Sequence, residues 1–119
     1  MLNEYGDLQC AWCGEGYLHH LEVHVFARRK EDGQTYRTAI DATAATVAFP
    51  QPVSCRENPS SRRSGVKILC SCELCHGITA LTVAQHKGAT QVESVRALPG
   101  HFAQTERRAE SNSFSAPPY

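Results

Sequence analysis

The sequence has no excess charge of either sign and no long hydrophobic run. Its 12 lysines and arginines balance 12 aspartates and glutamates, so no global field draws the protein toward nucleic acid or a membrane surface. No stretch approaches the roughly 18 consecutive apolar residues of a spanning helix. The first residues, MLNEYGDLQC, lack the basic and apolar regions of a signal peptide. We therefore expect a cytoplasmic protein with no membrane partner.

The last part of the chain has few aliphatic residues. Residues 99–119 read PGHFAQTERRAESNSFSAPPY, which buries too little apolar surface to offset the entropy cost of ordering. We predict a disordered polar tail there and one folded domain over residues 1–98. A domain of about a hundred residues is near the size range in which a metal ion or disulfides often supplement the hydrophobic core.

Alternating apolar and polar residues predict β-strands. Residues 17–27, YLHHLEVHVFA, alternate with period two. The following run also alternates, but it changes phase near Thr43, which indicates a bulge or a strand break. Prolines and serines predict a loop over residues 50–65. Further strands are predicted at 66–72, near 79–86 and at 90–97, with tight turns at Asp32-Gly33 and around the sequence HKGA.

Two segments, LQCAWCGEGYLHH and LCSCELCHGIT, each contain a C-x-x-C pair with a glycine close behind. A C-x-x-C turn brings two sulfurs to one ion, and zinc prefers a tetrahedron of soft ligands. Two such turns flanked by strands predict a mainly β fold, a small antiparallel zinc-ribbon-like sheet. We predict one structural Zn2+ per chain, held by Cys10, Cys13, Cys72 and Cys75.

Other residues near the two turns could replace a predicted ligand. Cys70 lies two positions before Cys72 and would share its face of an extended strand. His20 and His76 are the other alternative metal ligands. Cys55 lies in the proline- and serine-rich loop and is interpreted as a spare thiol.

The same cysteines admit other chemistry. A thioredoxin-type redox pair opens a helix inside a βαβ unit, which the neighbouring strands do not supply. A disulfide-bonded secreted domain would need a targeting signal. The sequence His20-Leu21-Glu22 followed by a C-x-x-C resembles zinc deaminases, but Ser71 replaces their proline and the segment alternates like a strand. We expect a protein that is not an enzyme, with a zinc-dependent hydrolase or deaminase as the alternative.

The run ENPSSRRSGVKI, the CELC turn and the run AQHKGATQVE resemble a group of small four-cysteine proteins of actinobacteria and their phages. That group shares a first C-x-x-C-G, an LHH followed by a strand, an NPS-x-RR-x-G loop, C-E-x-C and Q-H-K-G-x-T. The resemblance covers residues 10–96. It implies a zinc-ribbon-like β domain, located in the host cytoplasm if phage-encoded, and it carries over no catalytic residue.

Binding surfaces are predicted in two polar loops. Arg62 and Arg63 lie among serines, and His86 and Lys87 precede a glycine at a hairpin tip. Arginines and glycine-turn amides can bind phosphate, but the two arginines could also be solvated or paired with Glu57. We expect a protein partner, bound by the module as an adaptor or regulator, and we keep nucleic acid as the alternative.

Overall fold

The alternating segments form strands in the computed structural model, which describes residues 2–28, 33–61 and 63–97. A short 3-10 helix, Cys55–Glu57, is the one helical element of these residues. The described strands are β1 (Leu18–Arg28), β2 (Thr35–Asp41), β3 (Thr46–Val47), β4 (Gln51–Val53), β5 (Gly65–Cys72), β6 (Ile78–His86) and β7 (Ala89–Arg96). The predicted mainly β fold class is confirmed. The predicted tail, 99–119, lies outside the described residues.

All the described strands belong to one antiparallel sheet, in the order β3-β2-β1-β5-β6-β7. The short strand β4 also pairs with β2. The central pair, β1 and β5, joins strands that are far apart in the sequence. Its register places Leu18 at the start of β1 opposite Cys72 at the end of β5. The segments that precede β1 and follow β5 therefore meet at the same end of the sheet, and these segments carry the two C-x-x-C pairs.

Strand β1 contains a bulge, which the sequence pattern does not show. Its register with β5 shifts between His20, which pairs with Cys70, and Glu22, which pairs with Leu69. Because Cys70 and Leu69 are consecutive, their side chains lie on opposite faces of the sheet. The alternation predicted to run unbroken over 17–27 thus changes face at Leu21.

The turns lie close to where the sequence places them. Strand β2 ends at Asp41, whose carboxylate Oδ1 accepts hydrogen bonds from the amides of Thr43 (3.0 Å) and Ala44 (3.1 Å). The predicted strand break is therefore a capped turn. Lys87 and Gly88 connect β6 to β7 with φ of 49° and 86°, as in the two-residue hairpin turns that match strand twist. Asp32 lies outside the described residues.

The segment predicted as a loop over 50–65 forms one short strand, β4, and then crosses one face of the sheet. Glu57 accepts a hydrogen bond from Arg37 Nη1 at 2.8 Å, and its carbonyl oxygen lies 3.4 Å from Lys67 Nζ. We call this face the covered face; its buried residues are Glu22, His24, Phe26, Thr35, Arg37, Ala39, Gly65, Lys67, Leu69, Ser71, Ala80 and Ala84. Six of these twelve are polar or charged. No described helix is long and apolar enough to cross a membrane.

Candidate metal centre

The four cysteines of the two C-x-x-C pairs come together at one end of the sheet. Cys10 Sγ lies 3.6 Å from Cys75 Sγ, and Cys13 Sγ lies 3.6 Å from Cys72 Sγ. All four sulfurs lie within 4.8 Å of one another. These distances exceed the roughly 2 Å of a disulfide bond, and all four thiols are free. A tetrahedron with Zn–S bonds of about 2.3 Å has edges of about 3.8 Å, so the sulfurs are spaced as metal ligands.

The two cysteine turns, residues 10–15 and 72–77, have the same backbone hydrogen bonds. The amide of Cys10 donates to the carbonyl of Glu15 at 2.7 Å, and the amide of Cys72 donates to that of Gly77 at 2.9 Å. The carbonyl of each first cysteine also accepts a bond from the residue four positions later. Two copies of one turn therefore face each other across the site.

The left-handed position of the turn is filled differently in the two copies. Gly14 has φ of 83°, and its counterpart in the second turn is His76, with φ of 63°. The glycine after the second pair, Gly77, is therefore not the residue that reverses the chain. It leaves space for an aromatic ring, because a Cβ on Gly77 would lie 2.6 Å from Trp12 Cδ1. The glycines that follow the two C-x-x-C pairs therefore have different roles.

Backbone amides point at the sulfurs in both turns. In the second turn, the amide of Cys75 donates to Cys72 Sγ at 3.5 Å and that of Gly77 donates to Cys75 Sγ at 3.4 Å. Burial acts to raise the pKa of Cys10, but hydrogen bonds from the amides of Cys13 and Trp12 outweigh it and lower that pKa to about 6. Hydrogen bonds to a thiolate favour the form that binds metal.

The clustered sulfurs oppose the ionisation of Cys13 and Cys75 when no cation lies among them. The amide of Glu15 favours the Cys13 thiolate, yet desolvation and the neighbouring sulfurs raise the pKa of Cys13 to about 12. Like charges at this spacing oppose each other's ionisation. A divalent cation at the centre reverses that repulsion, so the chemistry of the donor set fits a metal ion.

Thr79, in β6, contacts the site through a hydroxyl that the sequence analysis did not select. Its side chain is fully buried. Thr79 Oγ1 accepts a hydrogen bond from the amide of Ala11 at 2.9 Å and donates to Cys10 Sγ at 3.7 Å. The hydroxyl thus joins the first cysteine turn to the sheet and supports one sulfur. Nothing in the sequence pattern separates this threonine from those around it.

Trp12 attaches the first cysteine turn to the last strands. Its indole Nε1 donates to the carbonyl of Ile78 at 2.7 Å. The guanidinium of Arg96, in β7, lies 4.7 Å from the centre of the indole ring, and Arg96 Nε donates to the carbonyl of Ala11 at 3.1 Å. These contacts hold the turn in place from outside the sulfur cluster. Sequence reasoning missed both residues, since neither is a metal ligand.

The alternative ligands predicted from the sequence lie outside the sulfur cluster. Cys70 pairs with His20 across β1 and β5, and neither belongs to the four-residue group. Burial raises the pKa of Cys70 to about 11, which keeps its thiol neutral. His76 is exposed and likewise lies outside the group. Cys55 begins the 3-10 helix and is also exposed.

The predicted arginine loop and the lysine–glycine turn meet at the end of the sheet away from the cysteines. Ser60 Oγ donates to the carbonyl of Gln85 at 2.7 Å, next to the β6–β7 turn that holds Lys87. The amide of Arg63 donates to the same Ser60 oxygen at 2.9 Å. Arg62 lies outside the described residues. Glu57 pairs with Arg37, a partner that the sequence analysis did not consider.

The described residues of the NPS-x-RR-x-G run hold the loop in its conformation. Asn58 Nδ2 donates to the carbonyl of Arg63 at 2.7 Å, and Asn58 Oδ1 accepts from the amide of Ser60 at 3.0 Å. A Cβ on Gly65 would lie 2.5 Å from Asn58 Oδ1. The asparagine, serine and glycine of the NPS-x-RR-x-G run thus build the loop against the sheet.

The histidine–glutamate pair that resembles a deaminase motif is split by the bulge. Glu22 Oε1 lies 2.8 Å from His24 Nε2 on the covered face, whereas His20 lies on the opposite face. No protein-family model, curated protein or solved structure matches this chain. The geometry of the four sulfurs is therefore the main observation on which a function can be argued.

Proposed function

We propose that the protein is a structural-zinc module that acts by binding another macromolecule and has no catalytic activity of its own. The observation that carries this proposal is the closed set of sulfurs from Cys10, Cys13, Cys72 and Cys75, all within 4.8 Å of one another. Four protein ligands fill a tetrahedron and leave no position for a water molecule. A metal held in this way fixes the fold and activates nothing.

Zinc is the metal that this donor set favours among common divalent ions. Thiolates are soft ligands and select against magnesium, calcium and manganese. Zinc also has no redox chemistry that would expose the thiolates to oxidation. The amides that point at the sulfurs support the same assignment, because they offset the negative charge that four thiolates leave on a divalent ion.

A protein partner is supported by the edge of the sheet. Strand β7 pairs only with β6 among the described strands, and most of its residues are exposed. An eight-residue edge of this kind offers unpaired backbone groups to which an extended segment of another protein can add. The module would then serve as an adaptor or regulator.

Cobalt substitution tests the closed site. We expect cobalt-loaded protein to show the intense visible absorption of tetrahedral thiolate coordination, and added azide or imidazole should leave that spectrum unchanged. A spectrum that shifts with either ligand would reveal an open coordination position on the metal. That result would favour the alternative of a metal-dependent hydrolase or deaminase. Affinity capture from cytosol then tests whether a partner binds only the metal-loaded fold. The control is the same protein after a chelator has removed its metal.

Nucleic acid is the second candidate, and the meeting of the two basic loops at one end of the sheet favours it. Arg63 and Lys87 come from loops that share the Ser60–Gln85 hydrogen bond. If phosphate binds there, the affinity should fall steeply with salt, and Lys87→Gln should reduce the slope by about one counterion. Arg56→Gln removes a charge from the 3-10 helix and serves as the control for net charge. Binding that is insensitive to salt would rule this candidate out.

A further inference from the structure

The face of the sheet opposite the covered face carries an apolar surface, which we call the open face. Its first row runs across five strands as Thr38, Val25, Val66, Val83 and Val92. The second row runs as Ile40, Val23, Ile68, Leu81 and Ser94, with Val47 of β3 beside Ile40. No charged residue lies in either row.

The apolar side chains of the open face are accessible to solvent, although apolar side chains of a sheet are usually buried. Val25 is 39% exposed, Val92 is 45% exposed and Val47 is 67% exposed. The aliphatic side chains between them are half-buried. Extensive contacts between the described strands occur only between neighbours in the sheet, so no second layer of strands packs there.

The two faces therefore have the reverse of the usual arrangement. Antiparallel sheets commonly bury an apolar face and leave a polar one in water. Here the segment that carries Glu57 lies over the side with Arg37 and Lys67, whereas the valine rows remain open. The first cysteine turn contacts the open face at the end of the sheet that carries the four cysteines, where the amide of Ala11 donates to Thr79 Oγ1. The valine rows lie farther along the strands, away from the cysteines.

The dimensions of the open face match part of a stable interface. Five strands about 4.8 Å apart give a width of about 24 Å, and the two apolar rows of alternate residues give a length of about 14 Å. The apolar centre thus covers about 330 Å2, within the range of functional patches. A standard interface buries about 800 Å2 per partner, with an apolar centre and a polar rim. Thr38, Gln85, Thr90 and Ser94 supply such a rim on this face.

We propose that the open face is covered by a second copy of this chain, packed face to face in a symmetric dimer. A second copy presents an uncharged apolar surface of the same size, and the formal net charge of zero removes long-range repulsion between copies. Two twisted sheets pack about 10 Å apart with their strands about 30° from parallel. Each residue near the two-fold axis then contributes twice. This inference deepens the proposed function, because it names one macromolecular partner of the zinc-loaded module.

A matched pair of substitutions on β7 tests the dimer. Val92→Lys places a charge on the open face, and Gln91→Lys places the same charge one residue away on the opposite face; both positions are exposed. Light scattering coupled to size exclusion should give wild type and Gln91→Lys a mass twice the 13.1 kDa of the chain. Val92→Lys should run as a monomer, with its dimer dissociation constant raised more than about tenfold because the charge enters the interface twice.

Zinc content, measured in the same fractions, separates this proposal from the function on which it rests. Zinc-loaded, folded wild type that stays monomeric at high micromolar concentration would overturn the dimer and leave the zinc module in place. Equal dissociation of both variants would also overturn it, since the open face would then have no special role. Val25→Lys, on the central strand β1, places a charge at a second position of the open face. It should also dissociate the dimer, as Val92→Lys does.

Discussion

Lys67 provides a quantitative test of the covered face. Its side chain is 2% exposed, and its ammonium lies 3.4 Å from the carbonyl of Glu57 and 5.5 Å from the centre of the Phe26 ring. Desolvation lowers the pKa of Lys67 from 10.5 to about 8, although Glu57 attracts the ammonium and opposes the shift. The folded protein therefore holds this charge at a cost.

The cost follows from the shift in pKa. A change of one pKa unit corresponds to about 1.4 kcal/mol, so the charged ammonium lowers the free energy of unfolding at pH 7 by about 3 kcal/mol. Lys67→Met keeps a long unbranched side chain at this position, removes the charge and loses one long hydrogen bond worth about 1 kcal/mol. We expect the variant to be more stable than wild type at pH 7, by about 2 kcal/mol.

The pH dependence gives the sign of the effect independently. Because the folded pKa lies below the unfolded value, the cost is fully present below pH 8 and disappears as the pH rises toward 10.5. The advantage of Lys67→Met should therefore shrink over that window. Urea unfolding of zinc-loaded protein across this range measures it, with Lys87→Met at the exposed hairpin turn as the control. A variant less stable than wild type at pH 7, or a constant difference across the range, would refute this reasoning.

Three further outcomes test the metal centre. Cys72→Ser should lose the metal, whereas Cys70→Ala should keep it with a stability loss of about 1–2 kcal/mol; the reverse result in elemental analysis would move the ligand to Cys70. His76→Gly should keep the metal and unfold no more easily than wild type, since glycine adopts positive φ without strain. Gly77→Ala should lower the melting temperature, because the added methyl group displaces the indole of Trp12. Equal melting temperatures for the two variants would contradict these roles. Thr79→Val should weaken metal affinity by about tenfold or more, read by competition with a chelator; an unchanged affinity would show that the hydroxyl supports only the sheet.

Much of the fold follows from patterns of two kinds. Alternation predicts strands because one face of each strand is less exposed than the other, and the turn residues Lys87-Gly88 predict the last hairpin. The repeated C-x-x-C spacing predicts the cluster because one ion can be reached from both turns. The antiparallel pairing of Leu18 with Cys72 then supplies the geometry that this prediction requires.

Other features depend on contacts between distant residues, which local patterns do not contain. The bulge at Leu21 changes which side chains share a face, so Glu22 and His20 separate although their spacing suggests one face. His76 takes the left-handed conformation that Gly14 has in the first turn, because the hydrogen bonds of the second turn impose it. Thr79 and Arg96 support the centre from β6 and β7, and nothing near them in the sequence indicates this.

Metal stoichiometry together with thermal stability tests the central claim most directly. Native mass spectrometry of the purified protein should give one zinc ion per chain, because four sulfurs form one closed site. Chelation should then unfold the domain or lower its melting temperature sharply, since zinc binding to such sites is worth about 10–16 kcal/mol, and restored zinc should reverse the change. Metal-free protein that melts at the same temperature as the zinc-loaded sample would contradict the assignment of a structural zinc site.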